Sequence, residues 1–141
     1  MSAQMVRQVP LLDVGRGTGP LQGEIQAAFA RVCESGRFIQ GPDVQEFAKH
    51  LAAYSGAKHA IACTSGSDAS LLALMAYEIG PVYEVSCPSF TFFATASAIV
   101  RLGAKPVFVD IEPQTFNFDT SQLAAAITDR TKAIIPVHLF G

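Results

Sequence analysis

Thr64-Ser65-Gly66-Ser67-Asp68-Ala69 stands between an apolar run, His59-Ala60-Ile61-Ala62-Cys63, and a stretch of helical spacing with Leu71, Leu72, Leu74 and Met75. A strand that turns through small polar residues into a helix leaves the first N–H groups of that helix unpaired and aimed at one spot. The helix dipole adds partial positive charge there, so the turn predicts an anion cradle. From residue 58 onward strands and helices alternate. Strands are predicted at 59–63, 83–87, 106–109 and 133–137, with helices near 67–79, 92–102 and 120–128. That alternation predicts an α/β fold with a mostly parallel sheet flanked by helices. Asp119 and Gln122 have the spacing of a capping box opening the last helix.

Upstream of residue 58 the pattern is helical. Leu21, Ile25, Ala28, Phe29, Val32 and Cys33 fall on one face of a helix over 20–35, with Pro20 in its first turn and Gly36 at its stop. A second helix is predicted over 42–55, with Val44, Phe47, Ala48 and Leu51 inward and Gly56 ending it. Between them Gly36-Arg37-Phe38-Ile39-Gln40-Gly41-Pro42 reads as a glycine-bounded loop carrying an exposed aromatic. The chain therefore divides into a helical segment, 1–57, and an α/β part, 58–141.

Composition narrows the function classes. Only 16% of the 141 residues are charged and the net charge is -2, with Lys and Arg scattered, so a nucleic-acid footprint is absent. Half the residues are hydrophobic and many of these are alanine, which suits buried helices or an oligomer interface. The first residues lack the apolar core of a signal peptide, and no apolar run is long enough to span a bilayer. A cytoplasmic protein without membrane association is expected. Cys33, Cys63 and Cys87, widely spaced in apolar contexts, read as small core residues rather than a disulfide or metal framework. Neither HExxH nor CxxC occurs.

In parallel sheets, ligands gather outside the carboxyl ends of the strands. Those ends carry Thr64 to Asp68, then Pro88-Ser89-Phe90-Thr91-Phe92, then Asp110, then His138. A P-loop is excluded, because no GxxxxGK[ST] is present, and a GxGxxG fingerprint finds only Gly66 in the turn. The turn suits one terminal phosphate held by amides and hydroxyls. A planar cofactor would then find Phe90, Phe92 and Phe93 after the next strand, where stacking contributes about 0.5–1.5 kcal/mol beyond burial.

Taken together, Pro10-Leu11-Leu12-Asp13, the loop Ser35 to Pro42, Ser65-Gly66-Ser67-Asp68-Ala69, Pro88 to Thr95, Pro106-Val107-Phe108-Val109-Asp110 and Ile134 to Gly141 resemble the DegT/DnrJ/EryC1/StrS family. These are pyridoxal-phosphate (PLP) dependent nucleotide-sugar aminotransferases of fold type I. The resemblance implies that residues 58–141 are the first, incomplete part of the PLP-binding large domain. It implies that Gly66, Ser67 and the amide of Asp68 hold the phosphate of pyridoxal 5'-phosphate, and that Phe92 lies against its ring. It also implies a homodimer acting on a nucleotide-linked keto-sugar with an amino donor, in polysaccharide or secondary-metabolite biosynthesis. Phe38, Gln40 and His138 are candidates to reach the substrate or a partner subunit.

Some positions depart from the family pattern. Ser67 replaces a threonine and keeps its hydroxyl. Val82-Tyr83 replaces a Gly-Asp turn. Family members are more than twice as long, and their Schiff-base lysine and ring-nitrogen aspartate come after residue 141. Lys49, Lys58, Lys105 and Lys132 do not match that lysine's motif, so the chain holds no catalytic residue of the family and is expected to be an inactive N-terminal part with exposed sheet edges. Two other readings stand beside this one: a sugar dehydratase relative with histidine in place of the lysine, and a non-catalytic fragment.

Each site residue also has a plainer reading. Ser67 could serve only as a helix N-cap, and Asp68 could complement the helix dipole. Phe90 and Phe93 read as packing, Asp110 as a turn residue, and His138 as a hydrogen-bonded structural histidine. No Lys or Arg lies in the 64–69 turn, so charge compensation for a phosphate has to come from elsewhere.

Overall fold

The computed structural model describes residues 12–140. Pro10, Leu11 and Gly141, which contribute to the family resemblance, lie outside them. The described residues divide into two compact units, one ending at Ala62 and the other beginning at Cys63.

The first unit is helical. A short helix that sequence reading missed, α1 (Val14–Thr18), is capped by Asp13, whose side chain accepts from the Arg16 amide. A 3-10 turn over Gly19–Leu21 carries Pro20 and leads into α2 (Gln22–Ser35). Gly36 ends α2 in the left-handed conformation, φ 64°, which costs a glycine nothing. Helix α3 (Pro42–Ser55) opens on Pro42 and closes on Gly56, φ 68°. Arg31 on α2 is paired with Asp43 on α3 at 2.5 Å.

The apolar faces of α2 and α3 are not buried as expected. Phe29 is 71% exposed and Phe47 62%, and only Ala52 within these two helices is buried. The spacing that marks an apolar face is genuine, but a face is buried only where something packs on it, and nothing among the described residues covers Phe29 or Phe47. Cys33 and Cys63 are likewise exposed, against the core reading, whereas Cys87 is buried and all three thiols are free.

The second unit is the α/β part. It runs α4 (Gly66–Ala76), β1 (Glu84–Pro88), α5 (Phe93–Arg101), β2 (Lys105–Val109), α6 (Thr120–Ala126) and β3 (Thr131–Ile134). The three strands form one parallel sheet in the order β2-β1-β3. Val85 and Cys87 alternate onto one face of β1, where they meet Leu74 and Ile79 together with Ala98, Ile99 and Ala104. Burial pushes the Cys87 thiol up to about 11. Asp119 caps α6 by accepting from the Ser121 amide at 3.0 Å, and Gln122 Nε2 donates to its other carboxylate oxygen at 2.6 Å. The expected capping box is thus closed on the Asp119 side chain, because the Asp119 amide already donates to the Asp110 carbonyl at 3.0 Å.

Residues 59–63 form no strand among the described residues. An apolar run specifies which side chains seek burial, but a strand also needs a hydrogen-bonded neighbour. Both sides of β1 are taken by β2 and β3, and neither of those pairs with 59–63. The Val82-Tyr83 turn acquires a partial rationale. Val82 is exposed, while the Tyr83 ring has Lys132 Nζ 5.4 Å from its centroid and its amide donates to the Gly80 carbonyl at 3.0 Å.

Candidate functional site: the first turn of α4 and the carboxyl edge of the sheet

Helix α4 begins with a hydroxyl and a carboxylate that satisfy each other's neighbours. Ser65, in extended conformation, is the N-cap, and its Oγ accepts from the Asp68 amide at 3.1 Å. The Ser65 hydroxyl in turn lies 3.3 Å from Asp68 Oδ2, and Thr64 Oγ1 donates to the same oxygen. The Thr64 hydroxyl is the main reason that the Asp68 carboxyl sits below its ordinary range; the Ser65 hydroxyl and Arg101 reinforce it against partial desolvation. Arg101, the last residue of α5, reaches Asp68 Oδ1 at 3.5 Å.

This arrangement decides the plainer reading of Ser67. The capping role belongs to Ser65, so the Ser67 hydroxyl is not spent on the helix. Among the described residues no hydrogen bond engages the amides of Gly66 and Ser67 or the Ser67 hydroxyl. Ala69 donates to the Ser65 carbonyl at 2.9 Å, and the Asp68 amide is held by Ser65. The unspent donors are therefore two amides and one hydroxyl at the head of an 11-residue helix. A Cβ built on Gly66 would meet nothing within 4 Å, so the turn opens into space. That donor set suits a phosphate dianion: all three groups can donate, and none brings negative charge of its own.

The other sequence-predicted residues sit apart. Phe92 is the N-cap residue of α5 and is 72% exposed, with no ring or hydrogen-bond contact to α4 among the described residues. His138 is exposed in the segment after β3 and has no hydrogen-bonded partner there, so the structural-histidine reading finds no support. Phe38 and Gln40 lie in the loop between α2 and α3, where Gln40 adopts φ 51° and Phe38 is exposed. The structure brings Gly66, Ser67 and Asp68 together; Phe92 and His138 stand on other loops of the same unit.

Two features at the carboxyl edge, a phenylalanine row and a hydrogen bond between loops, have no signal in neighbouring residues. Phe90, following β1, lies 5.8 Å from Phe116, and Phe116 lies 5.4 Å edge-on from Phe140. One phenylalanine thus follows each strand, and the middle one holds a left-handed φ of 60°. Ser89 Oγ donates to Asp110 Oδ1 at 3.2 Å, tying the loops after β1 and β2. Asp110 also accepts from the Ile111 amide at 2.9 Å, in keeping with its reading as a turn residue. No spacing rule links residues 21 or 33 positions apart, so neither Ser89–Asp110 nor Asp68–Arg101 carries a local signal.

Among the described residues no group of His, Cys, Asp and Glu is placed to hold a metal ion, and no helix is long and apolar enough to cross a membrane.

With this geometry in hand, known proteins supply the context. The model of the DegT/DnrJ/EryC1/StrS aminotransferase family matches residues 20–141. The chain is similar to a pleiotropic regulatory protein of Geobacillus stearothermophilus, 53% identical over 133 residues, covering 94% of this chain and 36% of that protein. It is 46% identical over 133 residues to the UDP-2-acetamido-2-deoxy-3-oxo-D-glucuronate aminotransferase of Pseudomonas aeruginosa, covering 94% of this chain and 37% of the enzyme. The crystal structure of ntda from Bacillus subtilis, with bound cofactor PMP, superimposes with a TM-score of 0.88 at 38% identity, covering 98% of this chain and 32% of that one. The chain spans about a third of the length of these relatives. It belongs to the DegT/DnrJ/EryC1/StrS aminotransferase family.

Proposed function

We propose that this chain is the cofactor-phosphate-binding part of a PLP-dependent aminotransferase acting on nucleotide-linked keto-sugars. The observation that carries the reading is the unspent donor set of Gly66 and Ser67, left open because Ser65 takes over the capping of α4. Membership of the family supports the cofactor, and the aminotransferase among its relatives supports the substrate class.

In this reading the Gly66 and Ser67 amides and the Ser67 hydroxyl donate to the phosphate, and the helix dipole adds favourable potential. The Asp68 amide joins them only if it leaves Ser65 Oγ. Phe92 offers an exposed ring face for a planar group, and Phe38, Gln40 and His138 offer contacts to the sugar or to a partner subunit of a homodimer. PLP, when bound, supplies an electron-withdrawing ring and an aldehyde for covalent capture of amines. Lys49 is paired with Glu46, Lys105 with Glu84, and Lys132 lies over Tyr83. The reading further takes 58–141 as the first part of the cofactor-binding α/β domain, 1–57 as an N-terminal helical segment, and the cytoplasm as its location.

Equilibrium dialysis tests the proposal, with pyridoxal 5'-phosphate and pyridoxal as paired ligands. The expected result is a clear preference for the phosphorylated ligand that Ser67→Ala abolishes; equal binding of the two by the unaltered protein would refute it.

A further inference from the structure

A carboxylate next to a phosphate cradle is an electrostatic liability, and Asp68 is one. Both of its oxygens are committed: Oδ2 to the hydroxyls of Thr64 and Ser65, and Oδ1 to the Arg101 guanidinium at 3.5 Å. The carboxylate thereby belongs to the same helical turn as the open Gly66 and Ser67 amides, where an unneutralised charge repels an incoming dianion. As a stabilising device the ion pair is weak, since the side chains are 54% and 37% exposed and exposed pairs contribute little. Its effect on the local potential is another matter. Among the described residues, Arg101 is the only cation paired with any group of the 64–69 turn, and it is delivered there by the packing of α5 on α4.

We infer that Arg101 is a positioning residue for the phosphate: it neutralises Asp68 and holds the carboxylate on the Thr64–Ser65 side, so that the first turn of α4 presents donors without a competing negative charge. The inference rests on the phosphate reading above and deepens it. It supplies the charge compensation that the turn itself lacks, from a residue 33 positions downstream. Arginine suits the task, being charged at every working pH. An alternative role, complementing the C-terminal dipole of α5, needs the charge but not Asp68, and this distinguishes the two.

The test is a double-mutant cycle read by equilibrium dialysis at low salt, with circular dichroism to establish folding. Arg101→Gln is expected to weaken binding of pyridoxal 5'-phosphate about tenfold, the order that a like charge within a helical turn produces. Pyridoxal, which lacks the phosphate, is expected to bind equally well to every variant. Adding Asp68→Asn to Arg101→Gln restores binding, because asparagine keeps an acceptor for the hydroxyls and removes the charge; Arg101→Lys retains most of it. Undiminished binding by Arg101→Gln, or failure of Asp68→Asn to restore it in a folded double variant, overturns the role of Arg101 while leaving the cradle intact if Ser67→Ala still abolishes the phosphate preference. Absence of that preference in the unaltered protein overturns the cradle and Arg101's role together. Should Arg101→Gln not fold, Asp68→Asn alone decides: it must bind the phosphorylated ligand at least as tightly as the unaltered protein, and weaker binding counts against the inference.

Discussion

Arg130 Nη2 donates to Glu84 Oε1 at 2.6 Å, joining the residue just before β3 to the first residue of β1. Lys105 Nζ, at the start of β2, meets the same oxygen at 3.1 Å, and Thr128 Oγ1 donates to the other at 2.7 Å. One buried carboxylate therefore gathers the amino ends of all three strands. Among the described residues the carboxyl edge is tied by the Ser89–Asp110 hydrogen bond, by the Ser89 amide donating to the Val109 carbonyl at 2.9 Å, and by the phenylalanine row.

Glu84 makes stability pH-dependent in a definite direction. The Thr128 hydroxyl first, then the Lys105 hydrogen bond and the two positive charges, hold its carboxyl below the ordinary value of 4.5 despite desolvation. A carboxylate with a lowered folded value stabilises fully above its unfolded value, and that contribution disappears as pH falls through the folded one. Urea midpoints are expected to be flat near neutrality and to drop below about pH 4.5. Glu84→Gln is expected to be less stable than the unaltered protein at pH 7, with the gap closing as the pH is lowered; a constant gap would count against this account.

Gly41 is required for space rather than for backbone freedom. Its φ of -71° suits any residue, but a Cβ there would press against the Arg37 carbonyl oxygen, which is backbone and cannot swing aside. Gly41→Ala is expected to cost about 1–3 kcal/mol, the range of overpacked sites. Gly36→Ala also destabilises, but through its φ of 64°. Chemical denaturation of the two variants, with helix content followed by circular dichroism, compares them directly; an unaltered Gly41→Ala midpoint would contradict the steric argument.

The centre of the α/β unit is Ile99, fully buried between α5 and β1 beside Val85 and Cys87. Ile99→Ala removes packing that no other described element can replace, and a loss of about 2–5 kcal/mol is expected. Val100, its exposed neighbour on α5, serves as the control. Val100→Ala should change stability by no more than about 0.5 kcal/mol.

What the sequence revealed and what it concealed follow one physical division. Strand–helix alternation, Pro42 opening and Gly56 closing α3, and the start of α4 in the 64–69 turn are local, and each is legible in neighbouring residues. Burial of Phe29 and Phe47, the pairing of 59–63, and the partners Arg101 and Asp110 depend on what a distant part of the chain brings alongside. The apolar spacing of α2 is a property of its own residues, whereas its burial is not. Within the site, the choice between Ser65 and Ser67 as cap turned on a single conformational fact, the extended backbone of Ser65 with φ of -161° and ψ of 165°.

That assignment makes two neighbouring serines experimentally separable. Ser65 accepts from the Asp68 amide, so Ser65→Ala removes an N-cap and is expected to cost about 1 kcal/mol of stability. Ser67 makes no such bond, and Ser67→Ala should leave stability within about 0.5 kcal/mol, as for ordinary exposed sites. Under the proposed phosphate reading, cofactor binding is expected to reverse the order. Ser67→Ala is then expected to lose a direct donor, whereas Ser65→Ala frees the Asp68 amide and leaves the Ser67 hydroxyl in place, so it is expected to retain the preference for pyridoxal 5'-phosphate over pyridoxal. Denaturation midpoints and dialysis on the same two variants read both effects. A Ser67→Ala protein that is destabilised as much as Ser65→Ala while keeping its phosphate preference would return Ser67 to a structural role.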